Sequence, residues 1–202
     1  MNLSVYFVTP DGVDDAIVLA AVRGGATVVQ LRDKSATDAA MIAQARRLQA
    51  ALAPHGVPLI INDRLQVALE SGAAGLHVGQ SDGDPAQMRA ALGPDRILGL
   101  SIETADQMQQ IPPGTVDYIG AGPIFATATK PDHAAPMGMA GLQQIVQLAS
   151  VPVVAIGGIG LSDVAALRAT GAAGMAVVSA IAGAENPQSA AAALAQAWGA
   201  SA

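Results

Sequence analysis

Five charged side chains stand out by where they fall. Arg32 and Lys34 follow one apolar run, Asp63 and Asp82 follow two others, and Lys130 follows a further one. The chain has only two lysines, Lys34 and Lys130, and each stands just beyond a predicted strand. A protein that used lysine for solubility alone would scatter it over helix faces, so this placement points to a ligand. Two carboxylates beside three cations suit a diphosphate with Mg2+, because magnesium takes one or two carboxylates and fills its octahedron with water and phosphate oxygens. The other reading of Asp63 and Asp82 is helix N-capping, since each precedes a helical stretch. Position alone leaves both readings open.

A second group of residues suits a phosphate. The stretch 119–130 reads Ile-Gly-Ala-Gly-Pro-Ile-Phe-Ala-Thr-Ala-Thr-Lys. Its glycines let backbone approach a ligand, and the hydroxyls of Thr127 and Thr129 with the ammonium of Lys130 suit an anion. Further on come Gly157-Gly158 and Val178-Ser179-Ala180. Backbone N–H groups at such turns, helped by a helix N-terminus, hold phosphates. On this reading any side chain at Gly158 would obstruct the anion; the plainer alternative is that Gly157-Gly158 only turns a strand into a helix. Among the histidines, the pattern makes His77 a hydrogen-bonded core or rim residue rather than a base. His133 is expected to be solvated, and His55 to belong to a turn.

These residues need elements to position them. β-Branched and apolar runs predict strands at 3–8, 27–31, 58–61, 75–78, 97–100, 117–119, 151–156 and 174–178. Helical patterns fall between and after them, at 14–22, 37–52, 65–70, 85–91, 105–109, 141–148, 162–169 and 187–198. The repeat Gly24-Gly25-Ala26, Ser71-Gly72-Ala73, Thr170-Gly171-Ala172 ends a helix before a strand each time. Eight strand–helix units make an α/β (β/α)8 barrel, expected as one domain over 1–202. An open dinucleotide-binding sheet would want a Gly-x-Gly-x-x-Gly turn after the first strand, and Thr9-Pro10-Asp11-Gly12 is not one. In a barrel the loops after the strands share one face, and the polar residues collect there: Gln30, Arg32, Asp33 and Lys34, then Asn62 and Asp63, then Gln80 and Asp82, then Ser101.

Composition narrows the function classes. A net charge of −6 with no basic run argues against nucleic-acid binding. The absence of cysteine excludes disulfides and thiolate catalysis and fits a cytoplasmic protein. No apolar run approaches a membrane span, and the start of the chain leaves no room for a signal peptide. Nothing decides between a monomer and a homo-oligomer.

The chain resembles the thiamine phosphate synthase family. The matching pieces are Tyr6-Phe7-Val8-Thr9, Gln30-Leu31-Arg32-Asp33-Lys34, Ile61-Asn62-Asp63, Leu76-His77-Val78-Gly79-Gln80-Ser81-Asp82 and Gly99-Leu100-Ser101. They continue with Gly120-Ala121-Gly122-Pro123-Ile124-Phe125, Thr127-Ala128-Thr129-Lys130, Ala155-Ile156-Gly157-Gly158-Ile159 and Val178-Ser179-Ala180-Ile181. The resemblance implies a transferase of thiamine biosynthesis: a hydroxymethylpyrimidine diphosphate loses pyrophosphate and its methylene carbon bonds to the nitrogen of a thiazole phosphate. It implies that Gln30, Leu31, Arg32, Asp33, Lys34, Asn62, Ser101 and Lys130 bind the pyrimidine diphosphate, with Arg32, Lys34 and Lys130 stabilising the leaving group. It implies Mg2+ on Asp63 and Asp82, and the thiazole phosphate on Thr127, Ala128, Thr129, Gly158, Val178 and Ser179. Asp84, in a more acidic loop than the family pattern, is either a neighbour of the metal or an N-cap, and 131–139 is expected to be a mobile cover. Two rivals are a thiazole tautomerase-like relative, which would need a base but no diphosphate–metal site, and a non-catalytic binder of thiamine precursors.

Overall fold

The computed structural model describes residues 1–127 and 134–199. The apolar runs form eight strands: β1 Val5–Val8, β2 Val28–Leu31, β3 Leu59–Asn62, β4 Gly75–Val78, β5 Ile97–Ile102, β6 Tyr118–Ala121, β7 Val153–Ile156 and β8 Gly174–Val177. Each pairs in parallel with the next, and β8 pairs with β1, so the sheet closes into the expected (β/α)8 barrel. Parallel neighbours need a crossover, and helices supply it: α1 Asp15–Arg23, α2 Asp38–Leu52, α3 Leu65–Ser71, α4 Pro85–Leu92, α5 Ala105–Gln109, α6 Gly138–Leu148, α7 Val164–Ala169, the short α8 Ser179–Ala182 and α9 Pro187–Trp198. Several starts carry side-chain caps, including Asp14 on Ala16 N at 2.8 Å and a Thr104/Gln107 capping box. Gly25, Gly72 and Gly171, the repeated helix enders, all have positive φ.

Side chains alternate across each strand, and the two faces build two cores. Val5, Phe7, Val29, Leu31 and Ile61 point outward into the layer shared with the helices. Tyr6, Val8, Val28, Ile60, Tyr118, Val154 and Ala176 fill the barrel interior. Buried aliphatics of this size each contribute about 1.5–3 kcal/mol. Both of the chain's tyrosines lie in this interior, and glycine makes room for Tyr118. A Cβ on Gly99 would come within 2.2 Å of Tyr118 Cζ and 2.5 Å of His77 Nδ1.

Three boundaries differ from the sequence expectation in ways that matter for the site. β5 runs on to Ile102, because Ser101 pairs with Gly120 and Ile102 with Ala121. Ser101 therefore sits within a strand rather than in a loop. α6 begins at Gly138, three residues before the predicted 141. The helix Ser179–Ala182 was not expected, since four residues are too few to show a period. Among the described residues, no helix is long and apolar enough to cross a membrane.

Candidate functional site

One cavity of about 680 Å³ opens at the C-terminal mouth of the barrel. Gln30, Arg32, Lys34, Asn62, Asp63, Asp82 and Ser101 line it on the β2–β5 side. Thr127, Gly158, Val178 and Ser179 line it on the side of β6–β8. The sequence had separated a diphosphate–metal group from a phosphate group, and both now face one space. Ala128, Thr129, Lys130 and His133 lie outside the described residues, as does the 131–133 part of the expected cover.

Two residues of the set implied by the resemblance keep their side chains out of the cavity. Leu31 is fully buried on the outward face of β2, packed in the helix layer, because its register is opposite to that of Gln30. Asp33 does not line the cavity either. Its carboxylate accepts from Gly12 N at 2.9 Å, Ser35 N at 2.9 Å, Ser35 Oγ at 2.7 Å and Ala36 N at 2.9 Å. Burial alone would raise its pKa, but these donors outweigh that and bring it down to about 2. Asp33 builds the loop that carries Arg32 and Lys34, so its side chain is not a ligand.

Arg32, Lys34 and Asp63 are already paired. Arg32 Nη1 lies 2.8 Å from Asp11 Oδ1, and Lys34 Nζ bonds Asp63 Oδ2. Asn62 Nδ2 donates to the other Asp63 oxygen at 2.8 Å. Asp63 is not an N-cap: Arg64 occupies that position of α3, without a side-chain cap. Asp63 instead adopts φ 60°, a left-handed conformation uncommon outside glycine. Asp82 is not an N-cap either. It accepts from Gly79 N at 2.6 Å, while Asp84 caps α4 through Ala86 N at 2.9 Å. The capping alternative therefore holds for Asp84 and fails for the other two.

Burial raises the pKa of Asp63, the Lys34 ammonium opposes that, and the charge of Asp82 pushes it up further. A carboxylate whose charge is disfavoured by burial and by a second carboxylate lining the same cavity offers, with that neighbour, a donor set that a hard divalent cation would satisfy. Two are enough for magnesium if phosphate and water complete the shell, although no group of three or more His, Cys, Asp or Glu gathers among the described residues.

At the opposite wall, Gly157 and Gly158 have φ 104° and 65°. A Cβ on Gly158 would lie 2.7 Å from Ala126 O and 2.8 Å from Phe125 Cβ. The expected obstruction by a side chain is thus real but falls on the loop after β6, before any anion is considered. Ile124 N donates to Ile156 O at 2.9 Å and Phe125 N to Gly157 O at 3.0 Å, stitching the two loops together. Among the described residues, no group accepts from the N–H of Gly158, Ser179 or Ala180, and these amides remain available to an anion.

Sequence reasoning missed the floor of the cavity. Gln30 Nε2 donates to Tyr6 Oη at 2.9 Å, Tyr6 Oη lies 2.6 Å from Tyr118 Oη, and Tyr118 Oη lies 2.8 Å from His77 Nδ1. His77 Nε2 then lies 2.9 Å from Ser101 Oγ. Burial holds the His77 pKa down to about 4 even though the charge of Asp82 acts to raise it. Burial also raises both tyrosine pKa values. His77 is the hydrogen-bonded residue that its apolar neighbours implied. The available signal for the rest was that the chain has just two tyrosines, both inside strands.

Comparison with known proteins agrees with this geometry. The family model described as "Thiamine monophosphate synthase" matches residues 5–181. A thiamine-phosphate synthase of Xanthobacter autotrophicus is 47% identical over 198 residues, covering 96% of this chain and 94% of its own. One of Albidiferax ferrireducens is 47% identical over 171 residues, covering 85% and 78%. A solved thiamine phosphate pyrophosphorylase of Pyrococcus furiosus superposes with a TM-score of 0.90 at 30% identity, covering 98% of this chain and 96% of the other.

Proposed function

Since the chain belongs to the thiamine monophosphate synthase family, we propose that the mouth of its barrel joins a hydroxymethylpyrimidine diphosphate to a thiazole phosphate, releasing pyrophosphate, with Mg2+ held by Asp63 and Asp82. It is a group-transferring enzyme of thiamine biosynthesis. The observation that carries the finer reading is the convergence on one cavity of Arg32, Lys34, Asp63 and Asp82 with the open amides of Gly158 and Ser179.

The reaction asks little proton chemistry of the protein. A thiazole nitrogen attacks with a lone pair and has no proton to lose, so no general base is needed. In a dissociative reaction the C–O bond to pyrophosphate breaks ahead of the new C–N bond, and negative charge grows on the leaving group. Arg32, Lys34 and Lys130 stabilise that charge, and their effect is larger in the transition state than in the ground state. Asp63 and Asp82 would hold Mg2+, which would supply further neutralisation of the diphosphate. Gln30, Asn62 and Ser101 hold the pyrimidine side, and the amides after β7 and β8, with Thr127, Ala128, Thr129 and Val178, hold the thiazole phosphate near the reacting carbon.

Pyrophosphate release tests the reading. Mixing the protein with both substrates and Mg2+ should release one pyrophosphate per thiamine phosphate formed, and omission of the thiazole phosphate should abolish product. A tautomerase-like relative or a precursor binder would release none, and that result would overturn the proposal.

A further inference from the structure

The chain of hydrogen bonds under the cavity has a direction. Each tyrosine hydroxyl carries one hydrogen, and a neutral imidazole carries one N–H and one acceptor nitrogen. At the β2 end Gln30 Nε2 donates to the Tyr6 oxygen at 2.9 Å. The Tyr6 hydrogen must then go to its other neighbour, Tyr118 Oη, 2.6 Å away, because Tyr6 is buried and has no third partner among the described residues. Tyr118 in turn can only give its hydrogen to His77 Nδ1 at 2.8 Å. With Nδ1 accepting, the imidazole hydrogen sits on Nε2 and points at Ser101 Oγ, 2.9 Å away.

Both ends of this chain open on the cavity, since Gln30 and Ser101 line it. No buried side-chain oxygen or nitrogen among the described residues lacks a partner, so Gln30 Oε1, which no described group bonds, is accessible there. The direction of the chain therefore fixes what each end offers. Gln30 presents an acceptor, and Ser101, whose oxygen already accepts from His77, has its own hydrogen free to donate. Reversing one end would reverse the other, because a mixed chain leaves either a buried hydroxyl hydrogen without an acceptor or the two tyrosine oxygens facing each other with no hydrogen between them.

We propose that Tyr6, Tyr118 and His77 are positioning residues that couple Gln30 on β2 to Ser101 on β5, so that the two present a matched acceptor and donor to the pyrimidine substrate. The part that concerns the substrate rests on the proposed function; the chain and its direction do not. Glycine at 99 is part of the same construction, since a Cβ there would lie 2.4 Å from Tyr118 Oη.

Two measurements test it. Long-range proton–nitrogen NMR of the wild-type protein without ligand should show His77 as the neutral tautomer protonated on Nε2. A Nδ1-protonated ring, or an imidazolium at neutral pH, would overturn the proposal. This readout needs no substrate, so it stands or falls apart from the proposed reaction. The second is a kinetic double-mutant cycle of Tyr118→Phe and Ser101→Ala, with pyrophosphate release as the assay. Tyr118 bonds Tyr6 and His77 but neither Gln30 nor Ser101, so a purely structural role would give additive effects on the pyrimidine diphosphate KM, whereas loss of its hydroxyl frees both ends of the chain. The coupled chain should make each single variant raise that KM about tenfold and the double variant raise it little further, with the thiazole phosphate KM unmoved in all three. Additivity within a factor of two would refute the coupling. Should Tyr118→Phe not fold, the wild-type tautomer measurement decides the proposal by the outcomes given above.

Discussion

Asp63 offers the sharpest separation of fold from function, because its backbone and its carboxylate do different things. With φ at 60°, an L-residue other than Asn or Asp is expected to lose about 1–2 kcal/mol there. Asp63→Asn keeps that tolerance, and Asp63→Ala does not. The carboxylate itself contributes little to the fold. Its partner Lys34 has a side chain 54% exposed, which limits the pair to about 1 kcal/mol or less. Burial raises the pKa of Asp63, so its contribution to stability is full below the ordinary value of 3.8 and is lost as pH rises through the folded value. Above that folded value and without metal, the ionised group weakens the fold. Asp63→Asn should melt at or a little above the wild type, and Asp63→Ala about 2–8 °C below Asp63→Asn, at 2–4 °C per kcal/mol for a domain of this size. Both should lose most turnover at limiting Mg2+. Calorimetry without metal and a Mg2+ titration of pyrophosphate release read the two effects separately. If Asn and Ala variants melt together, the backbone argument is wrong. If Asp63→Asn turns over normally at limiting Mg2+, the metal assignment is wrong.

Three further outcomes follow from the same structure. Gly158→Ala should cost about 1–3 kcal/mol, because its Cβ would lie 2.7 Å from Ala126 O; a melting temperature equal to the wild type would refute that packing. For His77, with the folded pKa depressed to about 4, stability is present above the unfolded value of 6.5 and is lost as pH falls toward 4. Urea unfolding should show about 2 kcal/mol more loss between pH 7 and pH 5 for the wild type than for His77→Gln, and equal losses would remove His77 as the cause. Lys130→Ala should lower kcat more than it raises the thiazole phosphate KM; normal kcat with only that KM raised would move Lys130 to the thiazole side.

Much of this was legible in the sequence, for reasons that differ by residue. Strands such as Gly75–Val78 are short apolar runs between turn residues, and their boundaries came out unchanged. The cluster at the mouth was legible because a barrel puts every strand end on one face. The side-chain placement of Leu31 and Asp33 was not legible, because a motif names neighbours in sequence, whereas the period of two in a strand sends Leu31 to the far side from Gln30. Asp33 was drawn into its own loop by amides of Gly12, Ser35 and Ala36, a local geometry with no periodicity to read. The Tyr6–Tyr118–His77 chain joins residues 112 and 41 positions apart, so it could only appear once the barrel closed.

The pairing of charges at the mouth also explains why the site can be both ordered and available. Arg32 rests on Asp11 and Lys34 on Asp63, so neither cation is left to sample the solvent in many rotamers. Such pairs, half open to water, hold their members by little more than about 1 kcal/mol. A diphosphate offers each cation a stronger, charge-assisted set of acceptors, and the exchange leaves Asp63 free of its ammonium. On the proposed reading, that is the moment at which its carboxylate, already disfavoured by Asp82, gains most from a divalent cation. On that reading, anion and metal would favour each other's binding through Lys34 and Asp63. On the proposed reading, an acidic chain with two lysines would in this way hold a diphosphate without a standing excess of positive charge.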